Sequence, residues 1–177
     1  MPLTQLQHIE DRLRRLSRKL PNLPATETLI LRAAMILGRD FNVVLERQLK
    51  PAGLSEAEFR MLTGLLAHDG HASAGDLCVA LAQSPANLTR ISDALVERGY
   101  ISRNPDPVDR RRMLLTLQPT GEQLLHSLYP RITPEVTAAF VGFSAADKQQ
   151  LLGGLKRLLT GIDARLGGAD AAQHESP

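Results

Sequence analysis

The chain has 177 residues, of which 43% are hydrophobic and only 3% aromatic, with no tryptophan. That length holds one compact domain with a sizeable core, or a small domain plus oligomerisation elements, and excludes two large domains; so few aromatics among so many leucines and alanines favour helix over a β-sandwich or barrel. The net charge of +2 is too small to announce a polyanionic partner, but it divides into +3 over residues 1–20, −2 over 21–83, +2 over 84–118 and −1 over 119–177, so the positive charge sits in two blocks. No apolar run approaches the ~20 residues of a membrane span and the N-terminus lacks a contiguous apolar signal stretch. The single cysteine, Cys78, excludes an intrachain disulfide. A soluble, cytoplasmic, mainly helical protein without a membrane partner is expected.

In chain order, Leu6, Ile9, Leu13, Leu16 and Leu20 recur at spacings of three and four, which predicts an amphipathic helix ended by Pro21 and Pro24. Its stripe suits packing on its own domain or on a second copy. Thr26 is placed to cap a second helix running to about Lys50, with Ile30, Ala33, Leu37, Phe41, Val44 and Leu45 on one face and Pro51 and Gly53 as its stop. Ser55 and Glu58 form the capping box of a third helix, with Phe59, Leu62, Leu65 and Leu66 inward, until Gly70. Ser73 and Asp76 repeat the pattern before a short helix from Ala74 to about Leu81, and Ser84 with Pro85 opens the next one.

Two short helices joined by so brief a turn make a helix-turn-helix, which presents the first turn of its second helix outward. There Leu88, Ile91 and Leu95 point to the core, leaving Ala86, Asn87, Thr89, Arg90 and Asp93 facing out. Asn87 can pair with an adenine edge and Arg90 with a guanine edge or a phosphate, while Ala86 and Thr89 are small enough for close approach. The same pattern also describes an ordinary solvated face.

Gly99 ends this helix. Tyr100 to Arg103 and Met113 to Leu117 are strand candidates around a loop, Asn104 to Arg112, stiffened by Pro105 and Pro107 and carrying Asp109, Arg110, Arg111 and Arg112. Three adjacent arginines on a hairpin suit phosphates or a narrow minor groove, and Asp109 suits an internal partner that aims one of them. Pro119 opens a long helix with Leu124, Leu125, Leu128, Ile132 and Val136 inward, which Pro130 and Pro134 should kink or interrupt. Ser144 with Asp147 caps a last helix bearing Leu151, Leu155, Leu158, Leu159, Ile162 and Leu166, expected to stop at Gly167 and Gly168 ahead of a disordered tail from 169 to 177.

The sequence Ser84 to Arg90 followed by Ile91, Asp93, Leu95, Glu97, Arg98 and Gly99, then Asp106, Asp109-Arg110-Arg111, Leu114, Leu117 and Gly121, resembles the MarR family of bacterial winged-helix regulators. Over about residues 25 to 167 the chain looks most like the EmrR-type repressors of multidrug efflux pumps. The resemblance implies a mainly α fold with a small β-hairpin wing. It implies dimerisation through N-terminal helices (1–50) and C-terminal helices (119–168) around a winged helix-turn-helix lobe (54–118). It further implies a homodimer on a pseudo-palindromic double-stranded DNA operator, with Ser84, Pro85, Ala86, Asn87, Thr89 and Arg90 on the recognition helix and Asp109, Arg110, Arg111 and Arg112 on the wing. By the same resemblance Arg111 reaches the minor groove, oriented by Asp109, and a small phenolic or lipophilic effector weakens DNA binding. Gln83 and Gln118 depart from the family pattern, which usually carries an aliphatic residue and a capping threonine there.

Other chemistries find less support. His68, Asp69, His71 and Cys78 do not spell a compact ligand set, so neither a metal nor another cofactor is expected. Cys78 lies among Leu77, Val79 and Leu81, which favours a buried, inert thiol over a redox-sensing cysteine. No nucleophile elbow, phosphate loop or metalloprotease helix occurs, so an enzyme is not expected. A winged helix used purely for protein contacts fits exposed triple arginine poorly. Helix placement brings Met35, Arg39, Met61 and Leu65 forward as an effector lining.

Overall fold

The computed structural model describes residues 1–106, 109 and 112–174, with side chains in the last helix described to 166. Two compact units result, Met1–Glu135 and Val136–Pro177.

In the first unit α1 (Pro2–Ser17) lies on α2 (Ala25–Leu49). The second helix starts one residue before the expected cap Thr26, with Pro24 at the N-cap and no side-chain cap bond. Proline has no side-chain acceptor to offer, and its carbonyl takes the first helical bond, from Thr28 N–H at 2.9 Å. Only the second half of the predicted inward face is covered: Leu45 is buried, whereas Ile30 is 52% exposed and Leu37 64% exposed. Their stripe extends beyond the lobe that covers the other end of α2.

A 3-10 turn (Lys50–Ala52) leads through Gly53, in the left-handed conformation, to α3 (Glu56–Ala67). Its capping box is formed as the sequence requires, Ser55 N–H donating to Glu58 Oε2 at 2.7 Å and Glu58 N–H to Ser55 Oγ at 3.3 Å. After β1 (His71–Ser73), the helices α4 (Ala74–Leu81) and α5 (Pro85–Glu97) follow, then β2 (Ile101–Pro105), β3 (Met113–Leu117) and α6 (Pro119–Ala138). The sheet is antiparallel with order β1-β3-β2, pairing His71 with Thr116 and Ile101 with Leu117. Strand β1 was not expected; three residues, the last of them the helix cap Ser73, are too few to show alternation. The core joins Leu49, Met61, Leu62, Leu65, Leu77, Leu88, Ile91, Leu95, Leu115, Leu125 and Leu128.

Helix α6 contains both Pro130 and Pro134 without ending, so of the expected kink or interruption, the interruption does not occur. Gly121 in its first turn stands where a Cβ would fall inside contact distance of the Tyr100 carbonyl oxygen and 2.9 Å from Leu117 Cδ1. Glycine lets this turn close on the start of β2, and Thr120 Oγ1 donates to Gly99 O at 2.6 Å beside it. Gln118, in place of a capping threonine, donates through Nε2 to Ser102 Oγ at 2.8 Å.

The second unit carries α7 (Ala145–His174), capped by Ser144 and Asp147. It runs past Gly167 and Gly168, where a stop was expected, and takes in 169–174 of the tail; residues 175–177 lie outside the described residues. Glycine lowers helix propensity by only about 1 kcal/mol, and the alanines beyond restore it. Val136, read as inward, is exposed, as are Leu151, Leu152, Leu155, Leu159 and Ile162.

Candidate nucleic-acid interface

Helix α5 is set by its buried side: Leu88, Ile91 and Leu95 are in the core, together with Ser92, which the sequence pattern did not single out. Ser92 is tolerated there because Oγ donates to Thr89 O at 2.9 Å and accepts from Arg103. The outward side then holds Ser84, Pro85, Ala86, Thr89 and Arg90, all exposed, with Asn87 half-buried. Ser84 Oγ caps the helix, accepting from Asn87 N–H at 3.3 Å, and Thr89 Oγ1 donates to Pro85 O at 2.9 Å. Asn87 is already engaged: Nδ2 donates to Gln83 Oε1, and Oδ1 accepts from Arg90 at 2.9 Å.

Of the four wing residues, Arg110 and Arg111 lie outside the described residues, so the proposed aiming of Arg111 by Asp109 does too. Asp109 closes the loop by its backbone, its N–H donating to Asp106 Oδ1 at 3.2 Å and its carbonyl accepting from Arg112 N–H at 2.9 Å. Arg112 stands at the loop's base, where its carbonyl accepts from Asp106 N–H at 2.9 Å. Its guanidinium turns back to α4, donating to Ser73 Oγ at 2.8 Å and Asp76 Oδ2 at 3.3 Å. This differs from an arginine displayed at the tip, and the reason is chemical: the Ser73 hydroxyl and Asp76 carboxylate at the start of α4 offer its guanidinium a charge-assisted pair of acceptors.

Two further arginines, Arg98 and Arg103, to which the sequence assigned no role, hold the lobe together. Arg103 on β2 pairs with Asp93 on α5 at 2.8 Å. Arg98 bonds Glu58 at 3.2 Å and the carbonyls of Ala52 and Gly53, with its guanidinium 4.9 Å from the centre of the Tyr100 ring. Arg98 reaches partners at least 40 residues away, and the Arg103–Asp93 pair crosses the turn from α5 to β2, so both depend on the fold.

His68 and His71 border an open groove of about 590 Å³ with Asp76, Asp106 and Arg112. His68 Nδ1 lies 2.8 Å from Gly64 O and His71 Nδ1 3.3 Å from Asp69 O. Among the described residues no group of three or more His, Cys, Asp or Glu side chains is placed to hold a metal ion. Cys78 is half-buried against the core. Met61 and Leu65 are fully buried in the core whereas Met35 is exposed on α2 and Arg39 pairs there with Asp40 at 2.8 Å, so these four do not line a common cavity. No helix among the described residues is long and apolar enough to cross a membrane.

A helix-turn-helix followed by a two-stranded wing and backed by a short third strand defines a winged-helix lobe. A family model described as "MarR family" matches residues 52–112. The chain is 29% identical over 156 residues to the transcriptional repressor MprA (EmrR) of Escherichia coli K12, covering 88% of this chain and 89% of that protein. It is 30% identical over 125 residues to the HTH-type transcriptional regulator YkoM of Bacillus subtilis, covering 69% and 80%. AbsC, a MarR-family regulator from Streptomyces coelicolor, superposes with a TM-score of 0.73 at 23% identity, over 80% of this chain and 97% of that one. BpsR of Bordetella bronchiseptica, solved to explain regulation of its DNA binding by 6-hydroxynicotinic acid, gives 0.61 at 25% identity over 73% and 89%. The chain belongs to the MarR family: it is a transcriptional regulator with a winged-helix DNA-binding fold, and not an enzyme.

Proposed function

We propose that this chain is a homodimeric, ligand-responsive repressor that binds a pseudo-palindromic operator and controls an efflux or stress-response operon. The observation that carries the reading is α5, whose exposed first turns, Ser84, Pro85, Ala86, Thr89 and Arg90, stand on a fully buried Leu88-Ile91-Leu95 base. A rigid helix offering small residues and an arginine at its N-terminal end suits a major groove. Asn87 and Arg90 face base edges, and the wing carrying Asp109, Arg110 and Arg111 approaches a minor groove, with Arg112 as its strut. The likeness to the repressor MprA over nearly the whole chain supports repression.

Dimerisation rests on segments 1–50 and 119–168, which flank the DNA-binding lobe 54–118. Support comes from leucines that a lone chain leaves in water: Leu3, Leu16 and Leu20 at the N-terminus, and Leu151, Leu152, Leu155 and Leu159 on α7. A two-fold dimer then spaces two copies of α5 about one DNA turn apart, ~34 Å. Release by a small phenolic or lipophilic compound is supported by BpsR, whose DNA binding is regulated by 6-hydroxynicotinic acid. An effector loosens DNA only by as much as it prefers the DNA-incompetent state.

A gel shift with DNA upstream of the chain's own gene, with and without salicylate, tests this. A complex of two protomers per site that weakens with salicylate is expected. No shift at any salt would refute DNA binding, and a shift saturating at one protomer per site would refute the dimer.

A further inference from the structure

Gln83 immediately precedes the Ser84 cap of α5, and its backbone is held firmly. Ala82 before it is left-handed, with φ of 51°, and Gln83 N–H donates to Cys78 O at 2.9 Å. From this fixed, half-buried position Oε1 accepts from Asn87 Nδ2, and Asn87 Oδ1 in turn accepts from Arg90 at 2.9 Å. Arg90 dictates the sense of the chain. A guanidinium only donates, so Asn87 must turn its oxygen to Arg90 and its NH2 to position 83, where only an acceptor answers it. Among the described residues Arg90 pairs with no carboxylate, whereas Arg98, Arg103 and Arg112 do. Its side-chain partner among the described residues is the asparagine that Gln83 orients.

We propose that Gln83 is a positioning residue for sequence recognition: it fixes the Asn87 carboxamide, which holds the Arg90 guanidinium in the pose that reads a guanine edge. The inference rests on α5 being the DNA-reading helix. Asn87 becomes chiefly a support, with one N–H and one lone pair spent within the protein. An arginine held before binding loses less rotamer freedom when it meets the base, and a misaligned one forfeits the bidentate geometry that separates guanine from other bases. An aliphatic side chain at 83 would leave Asn87 Nδ2 without this acceptor and the carboxamide held by Arg90 alone.

The test uses the full chain as wild type, Gln83→Leu, Gln83→Glu and Arg90→Ala. A randomised duplex pool, selected with the wild type, supplies the preferred site, and affinities are then measured for that site and for each single base-pair change. Arg90→Ala should abolish discrimination at one position per half-site. Gln83→Leu should reduce it about 3- to 10-fold at that same position and leave the others unchanged. Gln83→Glu keeps the acceptor and should keep the discrimination, while its charge weakens all sites together. The proposal is overturned if Gln83→Leu discriminates like the wild type or weakens every sequence equally, as a packing role in the turn would. It is also overturned if Arg90→Ala weakens all sites equally, which would put Arg90 on a phosphate. A wild type that selects no sequence would instead refute the reading of α5 as the recognition helix.

Discussion

Replacing Gly121 by alanine tests the joint between α6 and the wing. On helix propensity alone Gly121→Ala should stabilise by about 1 kcal/mol, since the position lies inside a helix. The structure opposes that gain. The added methyl would press on the Tyr100 carbonyl oxygen and lie 2.9 Å from Leu117 Cδ1 and 3.2 Å from the Tyr100 carbonyl carbon. The Leu117 methyl can turn away, but the carbonyl is backbone and is held by Gln118 N–H at 2.9 Å. Relieving the clash moves either α6 or the start of β2. Overpacking of this kind costs about 1–3 kcal/mol, and a strained hydrogen bond adds about 1 kcal/mol. Net of the propensity gain, a loss of about 1–3 kcal/mol remains, which lowers Tm by roughly 2–12 °C for a chain of this length. Thermal unfolding by circular dichroism at matched protomer concentration measures it. An unchanged or raised Tm would show that α6 stands further from β2 than described and would refute the argument.

Arg110→Ala should lower the slope of log affinity against log salt by ~2 per dimer if it touches one phosphate per wing, whereas Arg112→Ala should leave that slope unchanged, because its guanidinium is engaged by Ser73 and Asp76. Equal slope changes would place Arg112 on the DNA backbone. Leu155→Asp with Leu159→Asp on α7 should halve the particle mass in sedimentation; an undiminished dimer would remove this face from the interface. Ser144 hydrogen bonds, first from its side chain and then from its backbone, hold the Asp147 carboxyl below the usual carboxylate range. A depressed folded value gives stability that is present above the usual range and lost as pH falls through the lowered value. Acid titration of helicity should therefore show Ser144→Ala melting α7 at higher pH than the wild type, and coincident curves would refute the cap.

The local signals that survived into the fold are those whose physics is local. The capping box of α3, the Ser73 and Ser84 caps and the Leu88-Ile91-Leu95 stripe all depend on residues within one or two turns, and each is found where the spacing puts it. What could not be read depends on partners far along the chain. Strand β1 exists because β3 supplies its hydrogen bonds from more than 40 residues away, and Gly121 is required by Tyr100 across a strand-helix corner. Ile30 and Leu37 carry the same apolar signal as Leu45, and periodicity has no means of telling which of them the lobe covers. The two departures from family pattern, Gln83 and Gln118, each bond a specific side chain, Asn87 and Ser102.

The arginines show why charge counted along a sequence overstates charge offered to DNA. Residues 84–118 hold six: Arg90, Arg98, Arg103, Arg110, Arg111 and Arg112. Among the described residues three of them face carboxylates, Arg98 with Glu58, Arg103 with Asp93 and Arg112 with Asp76. The last two pairs are exposed enough to be worth at most ~1 kcal/mol each, so breaking them is cheap in itself. Yet an arginine that left for a phosphate would strand its aspartate beside a polyanion and add repulsion where it sought attraction. If Arg90 reads a base, and Arg110 and Arg111 each meet one phosphate as the proposed function has it, the contacts from this stretch can be counted. Four such contacts per dimer give a salt slope of about −4 from this stretch, whereas all six arginines from each protomer would give about −11. A modest net charge is thus consistent with an operator reader whose remaining cations are committed to holding the reading helix and the wing in place.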